Sequence, residues 1–308
     1  MYTPKIILIT GGHGFVGTHL CKALKEKWPE AEIRIPSYPA DDLREMSVCK
    51  RVVQGVDTVI HLAATVGGIG FNGQHPGKLF YDNIMMCTQL LHASMEAGVR
   101  KFVGLGTICA YPKFTPVPFK EDDIWNGYPE ETNGPYGLAK KMMLVQSIAY
   151  RQEYGFNAIY LLPVNMYGPG DNFNPESSHV IPAIIRKMIE ARDAHAPTVD
   201  IWGTGKATRE FVFVRDVCRG IILATEKYDG PLPINIGSGI EISIKDLVEK
   251  IKIKCGYTGE IVWDTSKPDG QPRRQLDITR ARELLGYEPQ ISFDAGLDEV
   301  ITWYEKSS

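Results

Sequence analysis

"ILITGGHGFVG" (Ile7–Gly17) is the stretch whose reading decides the fold. An apolar strand runs into glycines at 11, 12, 14 and 17, and an amphipathic segment opens at Phe15. The spacing fits G-x-x-G-x-x-G from Gly11 and G-x-G-x-x-G from Gly12. Such glycines permit a tight turn and let the backbone approach a pyrophosphate at the following helix N-terminus. The pattern alone is weak, and a merely structural turn is the alternative. The strand before it and the helix after it are the context that gives it meaning.

Working outward, "AEIRI" (31–35), "DTVIHL" (57–62), "RKFVGLG" (100–106) and "NAIYLLP" (157–163) join "KIILI" (5–9) as buried parallel strands. Residues 15–28, 44–54, 78–98 and 136–154 read as helices. That alternation predicts an α/β fold, a Rossmann-type doubly wound parallel sheet with ligands at the carboxyl ends of its strands. After Pro163 the texture turns to Gly, Pro, Asn and Ser loops. A helix at 216–227 and "PINIGSG" (233–239) look like returns to the sheet. We expect a dinucleotide-binding core at 1–164 and 210–238. A smaller C-terminal substrate-binding lobe should take 165–209 and 239–308.

Composition excludes several classes. The 308 residues are 44% hydrophobic and 23% charged, with a net charge of −3, which offers nothing to nucleic acid or an anionic membrane. Six scattered cysteines form no C-x-x-C pair, so no zinc or other metal site and no disulfide framework is expected. The N-terminus shows no signal-peptide pattern and no run is long enough to span a bilayer, so a cytoplasmic location is expected.

Three constellations carry the chemistry. "YGLAKK" places Tyr136 and Lys140 four apart on one helix face, the only Y-x-x-x-K in the chain. A lysine ammonium there would draw the phenol towards neutrality as an acid/base; a solvated helix face is the bland reading. "GLGTICAYPK" (104–113) ends a strand with Thr107 and Cys109, and "SSHVIP" carries His179. Alone these are a strand-end hydroxyl, a small core thiol and a cap; sharing a site with Tyr136 changes their weight. "IWGTGKATREF" (201–211) and "SKPDGQPRR" (266–274) put Trp202, Arg209, Lys267, Arg273 and Arg274 on loops, a stacking ring with cations suited to a nucleotide diphosphate. Ordinary surface charge is the alternative for Lys267 and Arg274. After the second strand, "IRIPSYPADDL" offers neither the acid of NAD sites nor the arginine of NADP sites, and Asp42, ahead of Leu43, faces the adenine.

With these motifs in place, "TGGHGFVG", "HLAA", "YGLAK" and "PVNMYGP" resemble the extended short-chain dehydrogenase/reductases, the NAD(P)-dependent sugar-nucleotide epimerases and dehydratases. "VGGI", "CAYPK", "EETNGPY", "GPGDNFNPESSHVIPA", "WGTG" with "REF", and "SKPDGQPRR" are similar to one branch, the GDP-L-fucose synthase family. The resemblance implies C3/C5 epimerisation and C4 reduction of GDP-4-keto-6-deoxy-D-mannose by a homodimer, with NADP favoured and NAD possible. It implies catalytic roles for Thr107, Cys109, Tyr136, Lys140 and His179. It implies cofactor contacts at Gly11, Gly14, Phe15, Val16, Gly17, Asp42, Leu43, Leu62, Ala63, Ala64, Lys140, Pro163, Asn165, Met166 and His179. Substrate contacts are implied at Asn165, Val180, Lys187, Trp202, Arg209, Asp269 and Arg273. Lys187 stands where the family has an arginine. His13 and Tyr38 occupy the regions of two arginines associated with the 2′-phosphate.

Overall fold

The computed structural model describes residues 2–267 and 269–307. Strand and helix alternate through β1 (Ile6–Thr10), α1 (Phe15–Lys27), β2 (Glu32–Arg34), α2 (Met46–Val52), β3 (Thr58–His61), α3 (Ile69–Gln74), α4 (Pro76–Glu96), β4 (Lys101–Leu105), α5 (Gly134–Tyr154) and β5 (Ala158–Pro163). The rest comprises β6 (Asn165–Tyr167), α6 (Val180–Asp193), β7 (Thr198–Trp202), β8 (Thr208–Phe213), α7 (Val214–Lys227), β9 (Ile234–Ile236), β10 (Glu241–Ser243), α8 (Ile244–Lys254), β11 (Glu260–Asp264), α9 (Thr279–Leu285) and α10 (Phe293–Ser307).

The main sheet has six parallel strands in the order β2-β1-β3-β4-β5-β9. Its central strands are apolar runs because helices cover both faces: α1 packs with α7, and α4 packs along α5 and α2. Every residue of β3, β4 and β5 is buried. Even Lys101 is inside, its ammonium shared between the Thr225 carbonyl at 2.6 Å and Asp229 at 2.9 Å. The expected strand at 31–35 shortens to three residues because β2 is the sheet edge, half open to solvent. Helix α4 starts two residues earlier than expected, at Pro76, where the missing amide costs nothing.

Beyond β5 the chain builds two small sheets. One has the order β10-β8-β6, with β6 and β8 parallel and β10 antiparallel to β8; the other pairs β7 with β11. The α3 turn and these short strands were not anticipated from the sequence. The chain order reverses about β1, which has β2 on one side and β3 on the other, so the glycine turn opens at the topological switch point.

Candidate active site

The glycine turn is built by contact as much as by conformation. Gly11 has φ +71, and a Cβ there would lie 2.9 Å from the Ala63 nitrogen. A Cβ on Gly17 would lie 2.2 Å from the Gly11 carbonyl oxygen, so α1 seats directly on the turn. Gly14 caps α1 without a side-chain bond, and the first turn holds no acidic residue. The leading amides of α1, at Phe15, Val16 and Gly17, therefore face a position that favours an anion. Beside the turn, Leu62 donates its amide to the Thr10 carbonyl at 3.2 Å and Ala63 to the Thr10 hydroxyl at 3.3 Å. That puts Leu62, Ala63 and Ala64 at the switch point, with Pro163 ending β5 in the same sheet and Asn165 and Met166 following in β6. These residues fit a dinucleotide pyrophosphate.

The segment from β2 to α2 binds its own charges. Arg44 holds Asp42 through Nε at 2.9 Å and a terminal nitrogen at 2.6 Å, and reaches Asp82 at 2.8 Å. That guanidinium keeps the Asp42 carboxyl below its usual range. Arg34 pairs with Glu32 at 2.7 Å and Arg51 with Asp41 at 2.8 Å. Leu43 is buried, whereas Tyr38 is 72% exposed.

At the end of β4, Thr107 caps a short turn over Ile108–Ala110, its hydroxyl accepting the Cys109 amide at 3.2 Å. A Cβ on Gly137 would sit 2.2 Å from the Cys109 carbonyl oxygen, so α5 lies directly on that turn. This packing brings the buried Tyr136 phenol to the Thr107 hydroxyl and near Cys109. Lys140, one helical turn on, is almost wholly buried. The expected effect of Lys140 on Tyr136 is corrected here. Burial, reinforced by the thiols of Cys109 and Cys87, pushes the phenol well above its ordinary value. Burial likewise lowers the Lys140 ammonium. Desolvation dominates both groups because both are taken out of water.

Cys109 meets a cation that sequence reasoning left open. An Arg274 terminal nitrogen lies 3.7 Å from its sulfur. Arg274 is 8% exposed, and among the described residues no carboxylate pairs with it. Arg209 is close by and, among the described residues, forms no direct ion pair, though the charges of Asp269 and Glu130 reach it; it donates to the Thr208 and Asp269 carbonyls at 2.7 and 2.9 Å. Burial, then the like charge of Arg274, draws its guanidinium down to about 10. Asp269 accepts from the Thr204 amide and hydroxyl, both at 2.7 Å. Trp202 is 56% exposed beside it, with the Lys267 ammonium 5.4 Å from the ring centre. Arg273 turns the other way, 56% exposed in its side chain and paired with Glu241 at 2.6 Å. Neighbours in an extended segment point to opposite sides, so the doubled arginine divides between the site and the surface.

His179 caps α6 in extended conformation, with Val180 the first residue of that helix. The preceding loop is pinned by the Gly68 amide, which donates to the Ser177 carbonyl at 3.1 Å. The imidazole keeps solvent access yet is crowded by protein, as in a cleft, and that crowding lowers its pKa. No hydrogen bond joins it to Cys109 or Tyr136 among the described residues. Lys187, further along α6, donates to the Asp200 carbonyl at 2.8 Å and lines a surface hollow with Glu190, Ala191 and Val199. Sequence reasoning also missed a buried chain beneath Tyr136: Thr10 Oγ1 bonds His61 Nδ1 at 2.7 Å, and His61 Nε2 meets Cys87 Sγ at 3.4 Å. Among the described residues no cluster of His, Cys, Asp or Glu could hold a metal ion, and no helix is long and apolar enough to cross a membrane.

Comparisons with known proteins agree with this geometry. Residues 7–237 match the model of the NAD dependent epimerase/dehydratase family. The chain is 36% identical to GDP-L-fucose synthase of Escherichia coli (strain K12), covering 97% of this chain and 96% of that one. It is 42% identical to the probable GDP-L-fucose synthase 1 of Oryza sativa subsp. japonica over 80% of this chain and 75% of the relative. A GDP-6-OMe-4-keto-L-xylo-heptose reductase from C. jejuni superimposes with a TM-score of 0.94 at 27% identity, covering 100% and 99% of the two chains. A GDP-L-fucose synthetase from Naegleria fowleri bound to NADP gives 0.87 at 26% identity, covering 100% and 96%. On its glycine turn, its Tyr/Lys helix and these likenesses, the chain belongs to the NAD-dependent epimerase/dehydratase family.

Proposed function

We propose that this enzyme converts GDP-4-keto-6-deoxy-D-mannose to GDP-L-fucose, epimerising C3 and C5 before reducing C4. The observation that carries the reading is the trio at the end of β4: a thiol between a phenol–hydroxyl pair and a buried guanidinium. Hydride transfer alone needs the phenol and the hydroxyl; a thiol there adds a group able to take a proton from carbon.

The protons adjacent to a 4-keto group are acidic because the enolate spreads charge onto oxygen. Thr107 and Tyr136 donate to that oxygen as it becomes negative. Cys109 accepts the proton from carbon and His179 returns one on the opposite face, which inverts the centre. Lys140 stands beneath Tyr136 and holds the cofactor end of the site. Arg209, Asp269 and Trp202 seat the GDP, joined by Asn165, Val180 and Lys187 at the rim; Arg273, expected there from the sequence, is instead held at the surface by Glu241. A nicotinamide held there would supply the hydride for C4, and Tyr136 gives the matching proton. On this reading residues 1–164 and 210–238 carry the dinucleotide, and 165–209 with 239–308 carry the sugar nucleotide. NADP is favoured by the NADP-bound likeness, and NAD is served by the same turn. We place the enzyme in the cytoplasm, where six free cysteines suit a reducing medium, as a homodimer joined through α4 and α5.

A second reading, a plain 4-keto reductase, is favoured by the heptose reductase likeness. Turnover of GDP-4-keto-6-deoxy-D-mannose in D₂O separates the two. We expect an L-sugar carrying deuterium at C3 and C5, and loss of that label in Cys109→Ser. A product reduced at C4 but unlabelled on carbon sinks the epimerase half.

A further inference from the structure

We propose that Arg274 is a positioning residue for Cys109, the fixed counter-charge that keeps its sulfur oriented and anionic when the site is ready to take a proton. This rests on the reading of Cys109 as a base and adds the group that makes it one. Four observations converge. The guanidinium lies 3.7 Å from Sγ, a charged donor on a soft acceptor. It is 8% exposed, and among the described residues no carboxylate forms a direct ion pair with it, although its charge reaches Glu130. A buried cation without a carboxylate in contact gains from an anion placed beside it. The nearest group in contact that can become anionic is the thiol.

The side chain is aimed by its surroundings. Arg274 Nε donates to the Gln271 side chain at 2.7 Å, and Gln271 in turn donates to the Lys113 carbonyl at 2.7 Å, just past the Cys109 turn. The backbone runs alongside β8 and is hydrogen-bonded to it. Thr208 donates to the Pro272 carbonyl at 2.9 Å, and Glu210 to the Arg274 carbonyl at 3.0 Å. On its other side the Phe119 amide donates to the Gln275 carbonyl at 2.7 Å. An arginine clamped at three points is not a loose surface charge.

The other charges facing Cys109 are accounted for. Arg209 adds a second positive field but bonds only backbone carbonyls. Tyr136 opposes a thiolate only if itself ionised, and its phenol is held protonated by burial. Glu130, the acid that feels both arginines, has its carboxylate taken up by Thr132 and Asn133. Of these charged groups, the guanidinium of Arg274 is the one in contact with the sulfur.

The test is iodoacetamide alkylation of Cys109 in the intact protein without substrate, followed by peptide mass spectrometry from pH 5.5 to 9.5. In Arg274→Met, which keeps the length and loses the charge, we expect the profile to move up by about one pH unit. The rate at pH 7 then falls about tenfold. Arg274→Lys should recover part of it. Gln271→Leu, which frees the guanidinium without removing it, should shift the profile less. Cys21, half-exposed on α1, is read in the same digests; an unchanged Cys21 profile shows that the fold is intact. An unmoved Cys109 profile in Arg274→Met overturns the proposal. Because no substrate is used, failure here leaves the epimerase reading to the deuterium experiment.

Discussion

Tyr136 and Cys109 lie near each other at the end of β4 but answer to different physics. The phenol is buried and pushed well above its ordinary value, so it stays protonated throughout the neutral range. That suits a group that must give a proton as C4 is reduced. Removing only its hydroxyl, in Tyr136→Phe, should cost about 10²–10⁴-fold in the reductive step. Dinucleotide affinity should hold, since the glycine turn and α1 are untouched. The measurement is single-turnover reduction with a separate binding titration; near wild-type reduction removes Tyr136 from the role. A lysine that simply lowered the phenol's pKa would leave it ionised and unable to donate. The burial found here is therefore better matched to reduction than the expectation drawn from the Tyr/Lys spacing.

Two elements make their own predictions. The β2–α2 segment ties Arg34, Arg44 and Arg51 each to a carboxylate. A 2′-phosphate would have to break such a pair to gain a guanidinium. Discrimination between NADPH and NADH should therefore be weak; a kcat/KM ratio above about 10³, some 4 kcal/mol, contradicts this. Strand β8 carries the second case. Glu210 accepts the amides of Ser238 at 2.6 Å, Gly239 at 2.8 Å and Leu276 at 2.6 Å, binding β8 to two crossing segments. Burial nonetheless pushes its carboxyl up to about 7. The folded state then holds a proton that the unfolded chain releases above about pH 4.3. Its contribution to stability is full below that value and is lost as pH rises through 7. Glu210→Gln removes the titration, so the stability gap between wild type and variant should shrink from pH 5 to pH 8 in urea melts. A constant gap refutes it. Elements also explain what was legible. The strands β1, β3, β4 and β5 announce themselves as apolar runs, and Thr107, Cys109 and Tyr136 follow from them by local geometry. Nothing local marks "NMY" or "EIS" as strands, since β6, β8 and β10 exist only by pairing across the chain. The contact of Arg274 with Cys109 was hidden for the same reason: it spans 165 residues of chain.

At the scale of the whole molecule, the two longest helices leave apolar surface uncovered. Phe80 and Tyr81 on α4 are 41% and 56% exposed, and Val145 and Ile148 on α5 are 42% and 40% exposed. Helices α4 and α5 pack along each other, and we propose that these side chains share their outer face. Scattered exposed hydrophobes need no explanation, but four large ones on a paired helical face form a patch of the kind that marks an interface. The same patch on a second copy is its simplest complement, because a two-fold axis sets identical faces together. Two helices from each subunit would then form a four-helix interface packed ridge into groove. The proposed active-site groups of α5, Tyr136 and Lys140, lie towards its other end and inside the fold, so assembly and chemistry are separable. Ile148→Asp puts a charge in the centre of the proposed contact, where desolvation makes an unpaired carboxylate costly. We expect light scattering to give twice the chain mass for the wild type and a single chain mass for the variant at micromolar concentration. Dinucleotide binding should survive in the variant. A wild type that runs as a single chain, or a variant that stays dimeric, places the subunit contact elsewhere and leaves this face to some other partner.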